Sequence, residues 1–259
     1  MAGAILTERA GNIATVTLSA PDRLNAMNLA MWQGIADAFT ALEAADDLRC
    51  VVLRGAGEKA FAAGADIAEF ATERFDQDSA RRYGEVMAAA LSAIQNCRHP
   101  VVAMIHGVCV GGGLELACCC DLRICGAGSR FGVPVKNLGL VVALNEMEDV
   151  AGVVGRATAL EIVLEGRIFA AEEALQKGLV NRVVPDDQVT GEAEATARRI
   201  AEGAPLVARW HKKFARRLAE PRPLGGAEIE DSYACFATED FQTGYKAFLK
   251  KEKPDFKGR

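Results

Sequence analysis

The residues best suited to chemistry are a run of three glycines, Gly111-Gly112-Gly113, and the acid that follows, Glu115. The glycines stand between a strand-like segment, Val101–Ile105 with Pro100 and Gly107 at its bounds, and an apolar helical pattern. The first N–H groups of a helix have no internal acceptors and point outward, and the aligned peptide dipoles place partial positive charge there. Glycine leaves room for a ligand to approach them. The pattern therefore fits an anion or oxyanion site. Glu115, three residues after Gly112, falls in the first helical turn and can face the same side, where a general base would stand. A plainer role stays open, since an acid in a first turn also complements the dipole or caps the helix.

Other candidates are weaker. Gly55-Ala56-Gly57-Glu58-Lys59-Ala60 follows a strand and loosely fits a dinucleotide fingerprint, but that fingerprint needs a helix to open at the loop. Here Phe61-Ala62-Ala63-Gly64-Ala65-Asp66 follows, with another glycine in mid-turn. No phosphate-loop motif ending in Gly-Lys-Ser/Thr occurs. A purely structural role, tight turns and close packing, also suits such loops. The eight cysteines form no Cys-x-x-Cys pair and three are consecutive, a spacing of neither a zinc site nor a disulfide framework. They are expected to be small buried residues in a reducing cytoplasm, Cys109 among them. His99 and His106 flank the strand and are expected to satisfy local hydrogen bonds, and Asp121 is expected to be structural. No Ser-His pair has the spacing of a peptidase.

The 259 residues allow one good core with a smaller appendage. Half are hydrophobic and a quarter are charged, as in an ordinary globular chain. A net charge of -5 speaks against nucleic acid as a partner. No run of apolar residues is long enough to span a membrane, and the first eight residues lack the features of a targeting segment.

Strand-like and helical patterns alternate over the first two-thirds, which makes the class α/β. Residues 5–9 and 13–18 read as a hairpin about Gly11-Asn12. Residues 29–45 read as a helix with Met31, Ile35, Ala38, Phe39 and Leu42 on one face. Strands are expected at 50–54, 101–105, 122–125 and 180–184. Helices are expected at 80–96, 111–120, 145–155, 157–166 and 171–178, then up to Gly203. Residues 55–68 show no clear period. From Pro205 onward the chain reads as helices broken by Pro221, Pro223 and Gly225-Gly226. The domain expectation is a core over 1–203 and a helical region over 204–259.

Several stretches, in order, resemble the signature of the crotonase (enoyl-CoA hydratase/isomerase) family. They are Phe61-Ala62-Ala63-Gly64-Ala65-Asp66-Ile67, Gly111-Gly112-Gly113-Leu114-Glu115-Leu116, Cys120-Asp121-Leu122-Arg123, and Phe131-Gly132-Val133-Pro134. The segment from Gly166 to Val180 and the tail from Ala247 to Phe256 continue the likeness. Each motif alone is weak, and jointly they are specific. The resemblance implies a spiral ββα core and a C-terminal helical region that builds trimers, often paired into hexamers. It implies no metal and no separate cofactor, because coenzyme A is part of the substrate. Carried over by position, the two backbone N–H groups for a thioester enolate belong to Ala65 and Gly112, and the acid/base is Glu115. Ala63 matches the carbonyl that meets the adenine. Ala26, Asp66, Ile67 and Ala68 belong to the same coenzyme-binding stretches, and Arg23 matches a basic position near the phosphates. Phe248 and Lys251 match positions that reach a neighbouring subunit's ligand.

One part of the pattern breaks. Hydratases of the family carry a second glutamate where this chain has Val135, and their Pro-Gly-Ala-Gly-Gly-Thr run is replaced by Val142-Ala143-Leu144-Asn145-Glu146-Met147. Both changes fall around the acyl group. Asn137, Asn145 and Glu146 are the polar residues near the break, with Asn145 also suited to a helix N-cap. The implied activity is a hydratase or isomerase of acyl-CoA thioesters. A thioester hydrolase or decarboxylase, and a non-catalytic acyl-CoA-binding subunit, remain as alternatives on the same fold.

Overall fold

The computed structural model describes residues 3–259. Its strands, in chain order, are β1 (Ala4–Ala10), β2 (Ile13–Ser19), β3 (Cys50–Gly55), β4 (Ala60–Ala62), β5 (Val101–Ile105), β6 (Val108–Val110), β7 (Leu122–Gly126), β8 (Arg130–Gly132), β9 (Phe169–Ala170) and β10 (Arg182–Val184). The helices are α1 (Leu29–Glu43), α2 (Phe70–Glu73), α3 (Gln77–Asn96), α4 (Gly112–Cys118), α5 (Leu144–Val154), α6 (Arg156–Glu165), α7 (Ala171–Gln176), α8 (Val189–Ala201), α9 (Pro205–Ala219), α10 (Gly226–Glu230) and α11 (Glu239–Lys250).

A larger sheet runs β1-β2-β3-β5-β7-β10 and a smaller one β4-β6-β8-β9. Apart from the β1–β2 hairpin and the β8–β9 pair, neighbours are parallel. Chain order explains the shape. Each turn lays one strand in the large sheet, the next in the small sheet, then a helix: β3-β4 before α2 and α3, β5-β6 before α4, β7-β8 before α5. This is the expected ββα spiral.

Local sequence explains the elements. Strands β3 and β5 are nearly continuous apolar runs and are buried on both faces, as parallel strands covered twice must be. Strand β2 alternates, with Ala14, Val16 and Leu18 inward. Helix α3 starts at a reciprocal cap between Asp76 and Ser79 and buries Tyr83, Met87, Ala90, Leu91 and Ile94. Asp121 is structural, as expected: it accepts from the Val101 N–H at 2.7 Å and from Lys212 of α9 at 2.8 Å. Arg209 reaches the carbonyls of Asp46 and Leu48 at 2.9 and 3.3 Å, so α9 is tied to the core.

The expectations need correction in places. The small sheet was not anticipated, because strands of two or three residues leave no period to read. The last strand begins at Arg182 rather than Val180, since Leu179 and Val180 are buried before it. Asn145 is not an N-cap. Ala143 holds that position, and its N–H donates to Glu146 Oε2 at 3.0 Å. Seven cysteines are buried but Cys235 is half-exposed. His99 is fully buried with neither ring nitrogen bonded, and burial beside Arg209 and Arg98 pushes it down to about 4. His106 does find a local partner, Thr190 Oγ1 at 3.1 Å.

Candidate active site

Two loops and one helix start form the floor of the site. The Met27 N–H donates to the Gly64 carbonyl and the Asp66 N–H to the Met27 carbonyl, each at 2.8 Å. These bonds clamp Ala65 on both sides and leave its own N–H without an acceptor among the described residues. Gly112 opens α4, and its N–H is likewise free. The two amides are neighbours. A Cβ placed on Gly112 would lie 3.7 Å from Ala65 N, and one placed on Gly64 would lie 3.2 Å from Gly112 N. Gly64 also has a φ of +97°, which a side chain would strain.

Packing fixes this arrangement from behind. The ring of Trp32 presses on Gly112, and a Cβ on Gly113 would meet the Ala62 carbonyl oxygen at 2.3 Å. At the far end of α4 the buried Arg123 guanidinium takes the carbonyls of Ala117 and Cys120 at 3.3 and 2.5 Å, and that of Leu179 at 2.7 Å. The helix is thereby held at both ends, and its first amides have little freedom.

The floor opens into a cavity of about 290 Å³. Ala63, Gly64, Ala65, Ile67, Gly111, Gly112 and Glu115 line one side. Phe70, Met87, Val135, Leu138, Leu140, Val141 and Val142 make an apolar wall. The polar side chains on the cavity are Arg74, Glu115, Asn137 and Glu146. Asn145 is not among them, and Cys109 is buried nearby with its Sγ 3.4 Å from the Gly113 carbonyl.

Glu115 is 3% exposed and has no hydrogen-bond partner among the described residues, so the capping role left open by the sequence is not the one it plays. Burial raises its carboxyl well above the usual carboxylate range, and the charge of Glu146 raises it further. Arg74 opposes the shift. Burial also raises Glu146, against the pull of the Ala143 N–H and of Arg74. The Arg74 guanidinium lies over the rings of Phe70 and Tyr83, with its carbon 4.7 and 4.9 Å from their centres, which fixes this cation beside both acids.

The remaining sequence candidates sit elsewhere. Arg23 pairs with the buried Asp66 carboxylate, whose Oδ1 also accepts from the Ala68 N–H at 3.1 Å. Both charges thus hold the Ala65 loop in place. Ala26 donates to the Arg23 carbonyl at 3.0 Å. Ala26, Asp66 and Ala68 support the cavity without lining it. Phe248 is exposed on α11 and Lys251 caps that helix with a φ of +58°; neither reaches the cavity. Sequence reading missed Arg74 and the wall residues Leu138, Leu140 and Val141, for which neither spacing nor motif gave a signal, whereas the break in the motif did point to Val142.

Comparison with known proteins places the chain in a family. The sequence profile of the family described as enoyl-CoA hydratase/isomerase matches residues 8–259. A protein of Mycobacterium bovis named "Probable enoyl-CoA hydratase" is 35% identical over 98% of both chains. The short-chain-enoyl-CoA hydratase of Clostridium acetobutylicum is 31% identical, again over 98% of both. A crystal structure of an enoyl-CoA hydratase/carnithine racemase from Magnetospirillum magneticum superposes with a TM-score of 0.97 at 51% identity, covering 98% of this chain and 96% of that one.

Proposed function

Because the chain belongs to the enoyl-CoA hydratase/isomerase family, we propose that it hydrates or isomerises short or medium enoyl-CoA thioesters. In this reading the thioester oxygen sits between the Ala65 and Gly112 amides, and Glu115 moves the proton. The observation that carries it is the pair of free, adjacent amides opening on the same cavity as a buried acid.

Attack on the β-carbon, or loss of a proton next to the carbonyl, turns the thioester into an enolate with its charge on oxygen. Donors already in place cost no reorganisation when that charge appears, and removing one from a comparable site costs about 3–4 kcal/mol. The gain falls on the transition state, because the neutral thioester binds such donors far more weakly. Main-chain donors explain why alanine and glycine suffice at these positions. The apolar wall takes the acyl chain, and its outer residues, Leu138 and Val141, leave the chain a way out to solvent.

Coenzyme A is held non-covalently as part of the substrate, along Arg23, Ala26, Ala63 and the segment from Ala65 to Ala68. Phe248 and Lys251 act on a neighbour's ligand in a homotrimer or hexamer. The exposure of Phe248 and Leu249, 81% and 75%, supports a covering subunit at α11. Sedimentation of the full chain should give a trimer or larger, and a lone monomer would remove that part of the reading.

The test of the site is Glu115→Gln with crotonyl-CoA. A positioned acid/base contributes about 10²–10⁴-fold, so hydration should fall by that factor while a saturated acyl-CoA still binds. An unchanged rate would take Glu115 out of the mechanism.

A further inference from the structure

Hydration moves two protons: one leaves water as its oxygen bonds the β-carbon, and one arrives at the α-carbon. Isomerisation likewise removes one proton and delivers another. Val135, on the cavity wall, can do neither. The cavity nevertheless holds a second acid, Glu146, from the stretch that replaces the family's Pro-Gly-Ala-Gly-Gly-Thr run.

We propose that Glu146, entering from the first turn of α5, is the second proton-transfer carboxylate of this site. The inference rests on the hydratase/isomerase reading above. Three observations carry it. Glu115 and Glu146 line one cavity from two different helices. Glu146 spends only Oε2 on the Ala143 N–H, at 3.0 Å, and Oε1 has no partner among the described residues. Arg74 is the cation on that cavity, so one buried and one half-buried acid share one positive charge. Two carboxylates on one cavity titrate as a coupled pair, in which ionising one acid makes the other harder to ionise.

The geometry divides the roles: Glu115, buried and without a partner, faces the α-carbon as proton donor, and Glu146, half-buried and held by the Ala143 N–H, faces the water as proton acceptor. In hydration Glu146 takes a proton from water as the new C–O bond forms and the π electrons move to the thioester oxygen. Glu115 then gives its proton to the α-carbon as the enolate collapses. One water is consumed, one acid gains a proton and the other loses one, and solvent exchange resets the pair. The groups facing Glu146 are Glu115 from α4, Arg74 after α2 and Asp149 from its own helix. Asp149 is taken up by Gln95 and Cys119.

Glu146→Gln separates this from a capping role, because the amide oxygen still accepts the Ala143 N–H while the proton-transfer group is gone. The full chain and the variant are assayed with crotonyl-CoA across pH, with saturated acyl-CoA binding and thermal melts alongside. The expected result is a loss of kcat by at least about 10²-fold with binding unchanged and melting unchanged or raised. The acidic limb of the kcat/KM profile, present in the unaltered chain, should vanish. Full activity in Glu146→Gln, with Glu115→Gln inactive, overturns the proposal and leaves the family reading standing. A loss matched by a fall in melting temperature, with the acidic limb retained, overturns it as well, since Glu146 would then be a cap alone. No turnover of any enoyl-CoA by the unaltered chain overturns both.

Discussion

The two sides of the cavity are built on different principles. The side made by Gly64–Asp66 and Gly111–Gly113 is main chain, backed by Trp32, Ala62 and the Arg23–Asp66 pair. The side from Val135 to Glu146 is side chain, carried on a short 3-10 turn, a loop and a helix start, with Val141 and Leu144 both 88% exposed. Stabilising an enolate oxygen is the same task for every thioester, so that wall can be fixed by packing. Proton placement depends on the acyl group, and side chains on a loosely packed wall can be exchanged without disturbing the amides. The break in the motif at Val135, with the proposed acid on α5, would be that freedom in use.

The contrast can be broken at several strengths. The largest effect is expected from Gly113→Ala. Its methyl would collide with the Ala62 carbonyl at 2.3 Å, and because the obstacle is backbone, α4 must move. Overpacking of this kind costs about 1–3 kcal/mol, readable in a denaturant titration, with turnover falling by more than 10-fold as the amides shift (an order-of-magnitude expectation for lost oxyanion donors). If turnover survives, the main-chain wall is not rigid and the comparison fails.

Next comes stability against pH. The Glu115 carboxyl is raised in the fold, so the unfolded chain ionises first, and stability declines as pH climbs from the ordinary carboxylate value of 4.5 toward the raised one. Glu115→Gln removes that cost. The variant should therefore melt higher than the unaltered chain at pH 8 and about equally at pH 4, with a gain of at least roughly 1.4 kcal/mol, the worth of one pKa unit. Equal melting at both pH values would mean that the acid is not held in a desolvated place.

Arg74→Met should act more gently. Removing the cation makes both acids harder to ionise, so the acidic limb of kcat/KM should move to higher pH by up to about one unit. A shift downward would put Arg74 elsewhere. The smallest effect belongs to the outer wall: Val141→Ser should change stability by less than about 0.5 kcal/mol while weakening longer acyl chains more than short ones, measured as KM.

Some of this was legible beforehand. Apolar runs gave β3 and β5, spacing gave α1 and most of α3, and the glycines with Glu115 marked the helix start. What failed was short or nonlocal. The two- and three-residue strands of the small sheet exist only because the spiral stacks them. Asn145 had the right chemistry for a cap, yet Glu146 at the third helical position drew the start back to Ala143. His99 looked like a local hydrogen-bonder, but the helices around it leave it in a dry place.

The sequence by itself determined the class, the order of the longer strands and helices, and the helix start at Gly112 with Glu115 in its first turn, because local propensity and fixed spacing carry that information, while the resemblance to the family's motifs marked Ala65. Only the tertiary structure decided that residues 65 and 112 present their amides side by side, and that Arg74 and Glu146 look into the same cavity as Glu115. Those meetings join positions up to about seventy residues apart, through packing of separate turns of the spiral. No window of the chain contains them, since the bond-by-bond path between such residues says nothing about their distance in space.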